Sequence, residues 1–214
     1  CGTLFPYTTL FRSVTSLADV LARFGGSRSV TASARHGRLP VLHTRDVNGP
    51  AGQSFVAGLA PDLLVSAFFN QRIGLDLARH AGAGAVNIHP SLLPTFRGVD
   101  PVFFQRLRGA SRFGVTLHRL DADFDTGPVI AAAEVAISPR ASLLEATAQL
   151  FWRGAGLLLD SVPRLIGGDP GQPQHPGGEY DSWPTRTQVA DFGARGNRLV
   201  RLTDLRLLRR GAPR

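Results

Sequence analysis

An α/β fold with a mainly parallel sheet flanked by helices is predicted for this chain. Three observations predict it. Short apolar runs bounded by turn residues alternate with stretches of helical spacing along most of the sequence. Hydrophobic residues make up 43% of the 214 residues and charged ones only 19%, enough for one domain with a sizeable core and too apolar for wholesale disorder. No apolar run approaches the roughly 20 residues that cross a bilayer, and the most apolar stretch, Leu157 to Leu159, is followed by Asp160 and Pro163.

The elements follow in order. Ser16 to Phe24 has helical spacing (Leu17, Val20, Leu21, Phe24), opened by Ser16 and stopped by Gly25-Gly26. Ser29 to His36 reads as a second short helix, and Leu39 to His43 as a strand with Pro40 near its start. Ala51 to Leu59 is a helix. Leu63 to Ala67 is a short apolar run that suits a buried parallel strand. Gly74 to His80 is helical, and Gly84 to Ile88 is another buried strand. Val102 to Arg108 follows Pro101 as a helix. Phe113, Val115 and Leu117 alternate with Gly114, Thr116 and His118, the mark of a half-buried strand ending at Arg119. Val129 to Ile137 is a strand stopped by Pro139. Ser142 to Ile166 is the longest helix, opened by a capping-box pattern of Ser142 and Glu145. Gly167 to Gly178 is a Gly/Pro-rich loop, and Thr185 to Ala194 a last short helix.

The net charge is +8, and every basic residue is arginine. Two readings stand side by side. Arginine without lysine, amid abundant Ala, Gly and Pro, is the signature of a GC-rich coding sequence with a solvated tail at Arg195, Arg198, Arg201, Arg206, Arg209, Arg210 and Arg214. The alternative, outside enzymology, is a basic nucleic-acid-binding module, whose binding would fall steeply with salt. The single cysteine, Cys1, excludes an internal disulfide framework and a cysteine zinc site, and no metal is expected. Methionine is absent, and Thr3 to Ser13 (TLFPYTTLFRS) resembles a translated sequencing adapter, so residues 1–13 are expected to be non-native.

In a parallel sheet, ligands bind beyond the carboxyl ends of strands. One such end is Asn87-Ile88-His89-Pro90. Side chains alternate along a strand, so Asn87 and His89 share a face while Ile88 turns into the core. A carboxamide there can donate to a developing oxyanion, and an imidazole can exchange a proton near neutral pH. The second element, Asp121 to Pro128, sets Asp121, Asp123 and Asp125 at alternate positions before a Gly-Pro break. One of these carboxylates lying against His89 would raise its pKa and form a proton relay. The run also has the look of a metal loop or a solvated turn, and the role of His118 stays open. Residue types and spacing alone stop at an α/β enzyme of unspecified chemistry.

The motifs NIHPSLLPTFRG (Asn87 to Gly98) and DADFDTGPVI (Asp121 to Ile130) resemble the folate-dependent formyltransferases, over roughly Leu39 to Ile166. That group spans methionyl-tRNA, glycinamide ribonucleotide and amino-sugar formyltransferases and formyltetrahydrofolate deformylase. The resemblance implies a Rossmann-like fold in which residues 14–166 form a partial catalytic domain and 167–214 a loop-rich extension. It implies that the family's first strand and helix precede Val14. It implies transfer of a formyl group from 10-formyltetrahydrofolate to an amine, on initiator tRNA or a small molecule, by a cytoplasmic enzyme without metal or membrane. Asn87, His89 and Asp125 correspond to the catalytic residues, with Asp125 holding His89 charged. Phe69, Asn70, Gln71, Arg72, Ile73, Asp121, Ala122, Asp123 and Phe124 correspond to the folate-binding segments. Ser91, Leu92, Leu93, Pro94, Arg97 and Gly98 correspond to the substrate-binding loop. The Phe96-Arg97-Gly98 stretch leans toward the methionyl-tRNA and amino-sugar branches, and Tyr180 and Trp183 are candidates for shaping the acceptor site.

Overall fold

The computed structural model describes residues 33–34, 36–204 and 207. The helix expected at Ser16 to Phe24 lies outside them, and so does most of the one expected at Ser29 to His36. Two compact units are present, and the first, Leu42–Pro139 with Ala146–Trp183, carries every candidate site residue.

In this unit helix α1 (Pro50–Leu59) starts with proline, whose missing N–H costs nothing in a first turn, and ends at Ala60 in a left-handed cap. Strand β1 (Leu64–Ala67) follows, then a single helical turn α2 (Leu75–Ala78), strand β2 (Ala85–His89) and a two-residue strand β3 (Arg97–Gly98). Helix α3 (Pro101–Leu107) is capped by the Asp100 carboxylate, which accepts from Phe103 N–H. Strands β4 (Gly114–Arg119) and β5 (Val129–Glu134) come next, and then the long helix α4 (Leu143–Ile166), which continues through Pro163. The first residues of this helix, up to Glu145, belong to the second unit, where Ser142 Oγ accepts from Glu145 N–H at 2.9 Å, as the capping pattern predicted. Strand β6 (Tyr180–Asp181) closes the first unit.

The main sheet has the order β1-β2-β4-β5. Strands β1 and β2 are parallel, whereas β2–β4 and β4–β5 are antiparallel, so the described sheet is mixed. The chain passes from β4 to β5 through a short loop, and a connection that short joins only antiparallel neighbours. Leu39 to His43 forms no strand, and Leu39 and Val41 are exposed. Strand β1 is half-buried rather than buried, with Val65 on its open side.

Strand β4 departs from its prediction in an informative way. It is buried on both faces, not one. Val115 and Leu117, with Val86 and Ile88 of β2, form the apolar face. Against them packs α4 at Gly154, where an added Cβ would stand 2.3 Å from Ile88 Cγ2 and 2.9 Å from Val115 Cγ2. Glycine there lets helix and sheet approach closely, and a side chain would have to displace both neighbours. The opposite face of β4 carries Thr116 and His118, 1% exposed each, and looks onto the end of β2.

The second unit includes Arg140–Glu145 and the described residues from Pro184 onward. Its helix α5 (Arg186–Ala194) opens with a full capping box between Thr185 and Gln188. Asp204 is buried there and accepts from Ser142 Oγ and Arg201 N–H. No helix among the described residues is long and apolar enough to cross a membrane.

Candidate active site

Strand parity builds the first half of the site. Asn87 lies opposite His118, and His89 opposite Thr116, in the β2–β4 register. Directly opposed residues share a face, so Asn87, His89 and His118 converge while Ile88 points back to Gly154. Asn87 Nδ2 lies 3.2 Å from His118 Nε2, and His118 Nδ1–H donates to the Arg119 carbonyl at 2.8 Å. The two imidazoles stand edge to face at 6.2 Å between centroids. His118, left open by the sequence, is thus a buried neighbour of Asn87. A clue to it existed: a histidine in a strand whose alternate positions, Val115 and Leu117, are apolar.

The loop after β4 brings the second half. Asp125 Oδ1 lies 3.4 Å from His89 Nδ1 and 3.6 Å from His118 Nε2, and Oδ2 accepts from the Gly98 N–H at 2.8 Å. Burial alone would raise the Asp125 carboxyl above its ordinary 3.8, but the facing imidazoles of His118 and His89 and the Gly98 N–H outweigh it and hold Asp125 at about 2. Asp125 adopts φ 57 and Phe96, whose carbonyl accepts from His89 Nε2–H at 2.9 Å, adopts φ 55. Left-handed backbone at non-glycine residues costs energy and persists only where its surroundings enforce it, a frequent feature of functional sites.

His89 corrects one expectation. Asp125 was expected to raise its pKa and keep it charged. The ring is only 3% exposed, and burial pushes it below the ordinary 6.5; Asp125 and the Phe96 carbonyl oppose this without overcoming it, while His118 and Arg97 add to it. His89 is therefore neutral at rest near pH 7, with an ionised carboxylate beside it, poised to receive a proton rather than already holding one.

The two segments expected to line a folate pocket meet at Arg72. Its guanidinium donates to the Ala122 carbonyl and lies 5.6 Å from the Phe124 ring centroid. Phe69 and Phe124 are exposed, and Phe68, at φ 51, sets its ring edge-on to Phe151 at 5.5 Å. Exposed aromatic faces and backbone carbonyls are suitable partners for a flat heterocycle. Asn70 is exposed and Ile73 half-buried. Gln71 is otherwise occupied: its amide accepts from Val47 N–H and donates to the Thr44 carbonyl. Asp121 and Asp123 are exposed; Asp121 Oδ1 accepts from Ala122 N–H and the Asp123 carbonyl from Thr126 Oγ1. Among the described residues no group of three or more His, Cys, Asp and Glu side chains could hold a metal ion.

The loop expected to bind substrate divides in two. Ser91 is fully buried, and its hydroxyl is spent on the Thr95 and Phe96 carbonyls, so it shapes the loop rather than facing a ligand. Leu92 lies against Gly114, and Leu93 N–H donates to Thr116 Oγ1. Pro94, half-buried, has its carbonyl against Gly178. Arg97 donates from Nε to the Phe124 carbonyl, and Gly98 spends its N–H on Asp125. Tyr180 was flagged as an acceptor-side candidate. It stacks tilted on Phe124 at 5.7 Å, and burial and the Asp125 charge both raise its pKa. Trp183 is exposed.

A family model described as formyl transferase matches residues 21–155. The methionyl-tRNA formyltransferase of Chloroflexus aggregans is 38% identical over 138 residues, 64% of this chain and 44% of that protein. The chain thus spans less than half the length of this curated relative. The structure of the formyltransferase PseJ from Anoxybacillus kamchatkensis, in complex with UDP-4,6-dideoxy-4-formamido-L-AltNAc and tetrahydrofolate, superposes with a TM-score of 0.51 at 27% identity, covering 67% of this chain and 71% of that one. A sugar N-formyltransferase from Shewanella sp. shares the fold at a TM-score of 0.57 and 23% identity, covering 86% and 74%.

Proposed function

This chain belongs to the formyl transferase family, and on that premise we propose that it moves a formyl group from 10-formyltetrahydrofolate to an amine through Asn87, His89 and Asp125. The observation that carries the reading is the 3.4 Å approach of Asp125 Oδ1 to His89 Nδ1, at the strand end where Asn87 shares the face of His89.

The amine attacks the formyl carbon, a C–N bond forms and the carbonyl oxygen becomes an oxyanion. An Asn87 N–H directed at that oxygen would stabilise it by about 3–4 kcal/mol. The attacking nitrogen gives up a proton, which neutral His89 accepts; the charge so created is balanced by Asp125, already ionised. Collapse of the intermediate breaks the bond to the folate nitrogen, which takes up the proton. The protein supplies orientation and charge balance, and the formyl carbon keeps its oxidation state. Phe69, Arg72 and Phe124 supply the surface against which the donor's flat ring would lie.

Similarity supports two readings of the acceptor. Methionyl-tRNA formyltransferase relatives favour the amine of a charged tRNA, with the net charge of +8 suited to a polyanion. The PseJ likeness supports an amino sugar as the second reading. Incubating the chain with 10-formyltetrahydrofolate labelled in the formyl group tests both. Label is expected on methionyl-tRNA; label only on a 4-amino sugar nucleotide would select the second reading. Release of formate without any labelled amine would replace transfer by hydrolysis, the deformylase alternative.

A further inference from the structure

We propose that Arg108 is a positioning residue that holds the backbone stretch Phe96–Gly98, to which both His89 and Asp125 are anchored. The proposal rests on the reading of those two residues as the reacting pair. Arg108 touches neither of them. It sits at the C-terminal cap of α3 and does two things there.

First, its guanidinium grips Asp181 with both nitrogens, Nη1 donating to Oδ2 at 2.8 Å and Nη2 donating to Oδ1. Asp181 is 8% exposed and belongs to β6, which pairs with β3 through Arg97–Tyr180 and Gly98–Asp181. The Asp181 carbonyl accepts from Val99 N–H at 2.8 Å. Gly98, at φ 103, comes so close that a Cβ would lie 2.1 Å from that carbonyl oxygen. A ladder of two residues has little stability of its own. The forked ion pair adds both energy and a fixed geometry to it.

Second, the same guanidinium lies over the Phe96 ring, 5.7 Å from its centroid, and over Phe104 at 5.3 Å. Phe96 presents the carbonyl that accepts from His89 Nε2–H, and Gly98 presents the N–H that holds Asp125 Oδ2. One arginine therefore secures both ends of a three-residue segment whose backbone fixes both members of the pair. Phe96, a non-glycine residue at φ 55, holds a strained backbone that needs external support to keep its shape.

The test compares Arg108→Ala, Arg108→Lys and Asp181→Asn in formyl transfer, with amide exchange of Gly98 N–H followed by NMR. The alanine and lysine variants are both expected to lose about 10- to 100-fold in kcat, since lysine has neither fork nor flat face, while KM for the folate changes little. Added guanidinium should restore part of the activity of Arg108→Ala. Gly98 exchange should speed up in all three variants. In a His89→Ala background the Arg108→Ala loss should nearly vanish, because its effect runs through the pair. Unchanged Gly98 exchange, or an Arg108→Ala loss that persists in full without His89, would overturn the proposal. If instead His89→Ala alone leaves turnover intact, the reading of the pair fails, and the Gly98 exchange rates still report whether the latch exists.

Discussion

His89→Ala lowers kcat by about a thousandfold while the folate donor still binds. The size of the effect follows from what the ring is asked to do. The other imidazole beside Asp125, His118, has both ring nitrogens engaged, Nδ1 by the Arg119 carbonyl and Nε2 by Asn87 Nδ2, whereas His89 is tied through Nε2 alone to the Phe96 carbonyl. Donor affinity is spared because the imidazole is held by the Phe96 carbonyl and Asp125, not by segments 69–73 and 121–124, which are proposed to face the donor. Equilibrium binding of tetrahydrofolate by fluorescence, beside steady-state turnover, separates the two quantities. A parallel loss of binding would move His89 from chemistry to donor recognition.

Asp125→Asn costs about a hundredfold in turnover and shifts the acid limb of the rate profile to lower pH. In the proposed mechanism neutral His89 is the working form, so activity is expected to rise with pH through a midpoint below 6.5. Asp125 is the largest influence raising that midpoint, and its removal lowers it further. A shift to higher pH would contradict the assignment. The same groups set acid stability. The unfolded chain binds a proton on His89 near 6.5 while the folded one resists, so stability declines as pH falls below 6.5. Asp125 protonates near 3.8 when unfolded and at about 2 when folded. Its contribution, about 2 kcal/mol, is complete above 3.8 and is lost as pH falls toward 2. Thermal unfolding of wild type and Asp125→Asn between pH 2 and 7 reads both windows.

What the sequence made legible, and what it hid, divides along physical lines. Alternation in β2 was enough to put Asn87 and His89 on one face, because a strand's period of two is fixed by its backbone. Pro101 ahead of α3 and the capping pattern at Ser142 marked helix beginnings within a residue or two. The pairing of Arg97–Gly98 with Tyr180–Asp181 was invisible: two-residue strands carry no periodicity, and they lie far apart in the chain. Strand β4 looked half-buried because Thr116 and His118 are polar, yet their face is covered by the site itself. The Thr116 hydroxyl is used twice, donating to the Ser91 carbonyl and accepting from Leu93 N–H. Leu39 to His43 read as a strand from composition but has no pairing partner among the described residues. The sign of the His89 shift depended on how deeply the ring is buried, and burial depth is a property of the packed fold, which no local motif encodes.

The most direct test is a double-mutant cycle on turnover with His89→Ala, Asp125→Asn and the two combined. If the imidazole and the carboxylate work as one proton-accepting pair, the double variant is scarcely slower than His89→Ala alone. Losses that multiply in full would mean that the two residues act independently, and the 3.4 Å approach between them would have no part in the chemistry.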